Sequence, residues 1–133
     1  VYIIGGDYVI PDDLIYAQSF NTHITIQRIY GAHMDGTAVA VLSELSSLSS
    51  PTTAYVINGA IDASCVTAAS LSTENGYPVL LVDYSGPTDA TLAAISDFGL
   101  TDIIILGEGV TQKTISALER ILGEEHVTKQ GEE

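Results

Sequence analysis

The segment YIIGGDYV at residues 2–9 returns as IIILGEGV at residues 103–110, in both cases an apolar strand running into glycine and an acid. Ile3 and Ile104, Ile4 and Ile105, Gly6 and Gly107, and Val9 and Val110 are identical pairs, each 101 positions apart. Leu14 with Ile115, Ile26 with Val127 and Arg28 with Lys129 keep the same offset, so the register is expected to run without a gap from the first strand into the second. Any two strand-turn-helix units of an α/β fold look alike, and it is the constant offset that favours a true repeat. The period is too long for one turn of a solenoid and suits one small α/β module of a tandem array. The expected organisation is an overhang at residues 1–22, resembling the end of a preceding repeat, followed by a single α/β module at residues 23–133.

Apolar periodicity fills in the module. Residues 2–5 read as a buried strand, Pro11 with Asp12 and Asp13 opens a helix to about Phe20, and ITIQRIY at 24–30 alternates as a strand. A helix over 35–48 is predicted from Ala38, Val41, Leu42, Leu45 and Leu48, spaced by three and four as the stripe of a helix laid on a sheet. TAYVIN at 53–58 is a further buried strand, and a helix over 62–75 has Asp62 as its cap and Gly76 as its left-handed stop. PVLLV at 78–82 and TDIIIL at 101–106 are apolar strands. Helices begin after Thr88 and near Thr111, with Gly99 and Gly123 as stops, and Ile115, Leu118 and Leu122 facing inward. Strands alternating with such helices give an α/β fold with a mainly parallel sheet flanked by helices.

Composition limits the partners. With 133 residues and 46% hydrophobic content, the chain buries enough surface as one domain to need no disulfide or metal. No apolar run reaches the roughly 18 residues of a membrane span, and no basic start precedes a short apolar stretch as in a signal peptide. A chain that opens on Val1 rather than Met is expected to be a processed product or an excerpt. Four Lys and Arg against 17 Asp and Glu give a net charge of −13, which repels nucleic acid and anionic membranes. Low Lys with abundant Ser and Thr suits an extracellular or high-salt setting, where screening relaxes the self-repulsion of such a charge; with the resemblance described next, the expected location is extracellular or the cell surface. The single Cys65 is expected to pack as a small apolar group.

RIYGAHMDGTAVAV at 28–41 resembles the opening phrase of the type 2 cell-wall-binding repeat, R-I-x-G-A-D-R-Y-x-T-A-x-A, with Arg28, Ile29, Gly31, Ala32, Thr37, Ala38 and Ala40 in matching places. VINGAIDA supplies Gly59, Asp62 and Ala63 for the family's next mark, Pro78, Val79, Leu80 and Leu81 resemble its Pro-Ile-Leu-Leu strand, and VYIIGG matches its closing strand. The resemblance covers nearly the whole chain. It implies a noncatalytic surface module, usually in tandem sets of three, that holds a protein to anionic cell-wall polymer. On this basis Arg28, Gly31, Thr37, Asp62, Pro78, Leu80 and Leu81 are the candidate polymer-binding or motif residues. His33, Met34 and Asp35 replace the family's Asp-Arg-Tyr, so its Arg is missing, and only Arg28, Lys113, Arg120 and Lys129 remain to hold an anion by charge-assisted contacts.

Catalytic signals are weak. Gly5-Gly6-Asp7 and Gly107-Glu108-Gly109 give neither G-x-G-x-x-G nor a Walker lysine and read as turns. Asp83, with Ser85 rather than a second acid two positions on, reads as a turn residue. His23, His33 and His126 lack ligand spacing, and Ser64-Cys65 beside Asp62 reads as a helix start, so no catalytic residue, metal or cofactor is expected. The pairs Asp12-Asp13 and Glu124-Glu125 read as solvated helix ends more readily than as calcium ligands. A small α/β hydrolase is the remote alternative.

Two noncatalytic readings stay open. In one, the chain is an anchoring module cut from a tandem array and packs with neighbouring repeats. In the other, copies assemble head to tail into a homo-oligomer or extracellular filament. The doubled strand then contends for one slot in the sheet, and Tyr2, Ile3, Ile4, Gly5 and Gly6 form an assembly strand that completes a neighbour.

Overall fold

Two parallel sheets divide the chain. A computed structural model describes residues 1–18 and 25–130. The smaller sheet pairs β1 (Tyr2–Ile4) with β2 (Gln27–Ile29), connected through α1 (Asp12–Gln18). The larger sheet has β3 (Thr53–Asn58), β4 (Val79–Val82), β5 (Asp102–Leu106) and β6 (Val127–Gln130) in the order β4-β3-β5-β6, every pair parallel. Four helices connect these strands: α2 (Met34–Ser49), α3 (Asp62–Asn75), α4 (Asp89–Asp97) and α5 (Gln112–Leu122), the last followed by a 3₁₀ turn at Glu124–His126. The expected helix end at Phe20, the strand start at Ile24, the boundary at residue 22 and His23 lie outside the described residues.

The continuous apolar runs of β3, β4 and β5 are those of strands covered on both faces. On one face Ala54, Val56, Leu80, Val82, Ile103 and Ile105 meet Leu42 of α2, Ala94 and Ile95 of α4, and Ile115 and Leu118 of α5. On the other, Tyr55, Ile57, Ile104 and Leu106 meet Cys65, Ala68 and Leu71 of α3, so Cys65 packs as a small apolar group. Burying a side chain such as Leu80 or Ile103 is worth about 1.5–3 kcal/mol. The Tyr55 hydroxyl, inside this layer, accepts from the Asn75 side-chain amide at 2.7 Å, as a buried phenol requires.

The boundary residues act largely as predicted. Thr88 and Thr111 cap α4 and α5, each hydroxyl accepting from the backbone N–H three residues on. Gly76 closes α3 at φ +76°, where a side chain would be strained, and its N–H reaches Ser72 O. Asp62 does not cap α3. Ile61 holds the cap position without a side-chain bond, and Asp62 lies in the first turn, where its charge favours the helix dipole.

Other expectations are corrected by packing. β1 is not buried: Tyr2 is 55% and Ile4 49% exposed, and among the described residues β1 pairs with β2 alone. The predicted stripe of α2 is only partly used. Leu42 is fully buried, whereas Leu48 is 76% exposed in the exposed last turn and Val39 packs on the core instead. The gapless register also fails by one residue. Tyr2 faces Gln27, whereas its equivalent Ile103 faces Val127, so the offset of 101 in the first strand becomes 100 in the second. Finally, the two copies of the doubled strand do not contend for one slot, since β1 and β5 lie in separate sheets.

Candidate functional site

The chain runs from β3 outward to β4 and then back past β3 to β5, so the connections leaving β3 and β5 diverge to opposite faces of the sheet. Open α/β sheets leave a crevice at such a switch point, beyond the carboxyl ends of the strands. Here that crevice is an open groove of about 740 Å³. One wall is the start of α3, with Ile61, Ala63, Ser64, Thr67 and Leu71, and the other is the end of β5 and the loop after it, Ile105 through Val110, with Lys129 and Gln130 of the edge strand β6.

Asn58 ties the two walls together. It is fully buried at the end of β3, its Oδ1 accepts from Ala60 N at 2.9 Å, and its Nδ2 donates to Gly109 O at 3.0 Å. The approach is close enough to require glycine. Gly109 has φ +82°, and a Cβ there would come 2.8 Å from Asn58 Nδ2; Gly107, at φ +72°, is crowded in the same way by Ser64. The result is a groove whose lining mixes the hydroxyls of Ser64 and Thr67 with the apolar side chains of Ile61, Ala63, Leu71, Ile105, Leu106 and Val110. Its ionic groups are Glu108 and Lys129, one of each sign. Such a lining suits a hydroxyl-rich ligand with an apolar face better than a dense polyanion.

The seven motif residues do not converge on this groove. Arg28 is committed inside the small sheet, its Nη1 donating to Gly5 O and its Nη2 to Asp12 Oδ1, both at 2.8 Å. Motif and assembly residues therefore meet there, Arg28 holding the end of β1. Gly31 N–H donates to the Thr37 hydroxyl at 3.0 Å, and a Cβ on Gly31 would collide with the backbone of Gly36, so this pair shapes the entry to α2. Pro78 is buried and its carbonyl accepts from Tyr55 N, Leu80 is fully buried, Leu81 packs under α3, and Asp62 is exposed. Of the doubled strand, Tyr2 and Ile4 are exposed, Ile3 is half-buried, Gly5 N–H donates to Ile29 O, and Gly6 accepts from Val9 and Ile10.

The groups a hydrolase reading would need stand apart. Asp83 accepts from Ser85 N within its own turn, and hydrogen bonds from the Ser85 hydroxyl and then its N–H hold the carboxyl below the ordinary range. His33 sits at the cap position of α2, and His126 bonds Asp102 at 2.9 Å. Among the described residues no three His, Cys, Asp or Glu side chains gather as a metal site, and no helix is long and apolar enough to cross a membrane.

Sequence reasoning missed the groove as a site. It weighed Gly107, Glu108 and Gly109 only as a loop, Ser64 only as a helix start and Lys129 only as a scattered cation. The available signal was a strand ending in a glycine-rich loop, of a kind that becomes a crevice once strand order is known.

Over 107 residues the chain is 27% identical to the N-acetylmuramoyl-L-alanine amidase LytC of Bacillus subtilis (strain 168), covering 80% of this chain and 21% of the amidase. In fold it resembles Cwp6 from Clostridium difficile at a TM-score of 0.85 and 18% identity, covering 97% of this chain and 21% of that one. Cwp8 from the same organism follows at 0.79 and 18%, covering 96% and 21%. The chain thus spans about a fifth of each of these proteins. The profile of Cell wall binding domain 2 matches residues 28–128, most of the chain, and the chain belongs to that family.

Proposed function

We propose that this chain is a noncatalytic module of the cell surface that holds onto a cell-wall polymer through the groove beyond β5. The family membership supports wall binding, and the observation that carries the choice of site is the Asn58–Gly109 clasp, which fixes a hydroxyl-lined crevice at the switch point of the sheet. Arg28 is spent on Gly5 and Asp12, and the net charge is −13, so attachment rests on hydrogen bonds and apolar contact more than on a row of cations.

The test is sedimentation of the purified chain with isolated cell wall over a salt series, beside Thr67→Trp, which fills the groove from the exposed face of α3. The expected result is binding with a shallow salt dependence, weakened about tenfold or more by the substitution while circular dichroism stays unchanged, since a filled pocket removes about 1.4 kcal/mol or more of contact. Unchanged wall binding by the variant would move the site elsewhere, and no binding by the parent chain would end the reading.

A second reading, self-association of copies into a filament, is favoured by one observation, the edge of β1 that no strand among the described residues pairs. Electron microscopy of the chain with and without residues 1–22 tests it, and monodisperse particles in both samples would sink it.

A further inference from the structure

We infer, on the footing that the groove beyond β5 is where the wall is bound, that it receives an N-acetylated sugar, with the acetamido carbonyl held at the start of α3 and the methyl laid on the apolar wall.

α3 begins without a side-chain cap. Ile61 stands at the cap position with no side-chain bond, its own N–H donates to Asn58 O, and Cys65 N is the first to donate back, to Ile61 O. The N–H groups of Asp62, Ala63 and Ser64 are those that such a helix start leaves without an intrahelical acceptor, and among the described residues nothing else accepts from them. At α4 and α5 the Thr88 and Thr111 hydroxyls fill this role.

A further donor stands beside these amides. Ser64 is 4% exposed and lines the groove. Its hydroxyl lies so near Gly107 that a Cβ there would overlap it, and it meets no hydrogen-bond partner among the described residues. A hydroxyl taken from water and left unbonded costs free energy that an incoming acceptor returns. Amides and hydroxyl lack the same thing at the same end of the groove, an oxygen with lone pairs.

The surroundings select the charge of that oxygen. A helix start favours an anion. Here, however, Asp62 occupies the first turn and Glu108 lines the opposite wall, with Lys129 as the cation of the lining, in a chain of net charge −13. A neutral carbonyl takes the same hydrogen bonds without repulsion from those carboxylates. Ile61, Leu71 and Val110 offer a methyl group an apolar seat that a plain sugar hydroxyl does not use. An acetamido group carries the oxygen and the methyl on one carbon.

The test follows the backbone amides of the chain by NMR during parallel titrations with N-acetylglucosamine, glucose and inorganic phosphate. N-acetylglucosamine is expected to move the Ala63 and Ser64 amides at a concentration about tenfold below that needed for glucose, since the methyl and the carbonyl each add a few-fold in affinity. Phosphate should leave these amides in place. Ser64→Ala should weaken the sugar about fivefold, the loss of one hydrogen bond, with the Asn58 side-chain amide unmoved as a sign that its clasp on Gly109 is intact. Glucose acting at the same concentration, phosphate moving these amides ahead of the sugar, or shifts confined to another part of the chain would each overturn the inference, and an unweakened Ser64→Ala would overturn the role of its hydroxyl. Soluble N-acetylglucosamine should also displace the chain from isolated cell wall where glucose does not. Repeating the displacement on wall stripped of its attached polymers tells whether the sugar sits in those polymers or in the glycan beneath them. Loss of wall binding in Thr67→Trp, with no response of α3 to the sugar in the parent chain, would end this inference and leave the groove as the wall site.

Discussion

The two copies of one sequence pattern, β1–α1–β2 and β5–α5–β6, live in opposite surroundings. Ile105 is 2% exposed between β3 and β6, while its identical partner Ile4 is 49% exposed at a free edge. The same residues in the same kind of strand thus carry unequal shares of the stability. The hydrophobic pattern says what a strand is able to bury, and its neighbours decide how much it does bury.

The sharpest way to break that comparison is a matched pair of truncations. Ile105→Ala should cost about 2–5 kcal/mol, as for other fully buried aliphatic side chains. Ile4→Ala should stay below about 1 kcal/mol, since little contact is lost at an exposed site. Urea unfolding of both variants checks this, and similar losses would mean that β1 is covered in solution.

Next comes the pair Gly109 and Tyr8. Gly109→Ala adds a Cβ against Asn58 at φ +82°, and a destabilisation of about 1–3 kcal/mol is expected by thermal denaturation. Tyr8→Gly should change stability by no more than about 1 kcal/mol, the residue being 97% exposed. A large effect at Tyr8 would show that the N-terminal loop is packed in cis.

Arg28→Ala addresses the hold of β2 on β1. The guanidinium is mostly buried, but its partner Asp12 is largely exposed and solvent-screened, so a loss near 1 kcal/mol is expected. Faster amide exchange at Gly5 than at Ile105 in this variant would locate the loss in the small sheet; uniform loosening would contradict it.

The smallest effect is one of pH, at the start of β6. The hydrogen bond between His126 and Asp102 raises the histidine pKa and, with Thr101, lowers that of the aspartate. The aspartate contribution is complete above its ordinary value of 3.8 and fades as pH falls through the lowered one. The histidine contribution is complete below its ordinary value of 6.5 and fades as pH rises through the raised one. Stability from this pair should therefore be greatest between those ordinary values. NMR titration of His126 reads the shift, and Asp102→Asn should return it towards 6.5.

β3 and α3 were legible to the residue, and β4, β5, α4 and α5 nearly so, because local signals agreed there. Apolar runs lay between Thr88, Thr111, Gly76 and Gly123, and each of these helices buries residues spaced by three and four. The exposure of β1 was not legible, since periodicity in a strand carries no information about whether another strand lies beside it. Nor was the one-residue change of register, which depends on the path between β1 and β2 rather than on either strand. The groove was hidden for a different reason. Its walls come from three separated stretches, and what joins them, a carboxamide on a glycine carbonyl 51 positions away, has no signature short of the strand order.

The parallel pairing of β6 with β5 has a mechanical consequence. A pull on Gln130 along β6, resisted by the rest of the sheet, drags that strand lengthwise past β5. The paired positions from Val127 to Gln130 then share the load together instead of opening one after another from an end. That is tension in shear, the direction in which a short strand is hardest to strip away.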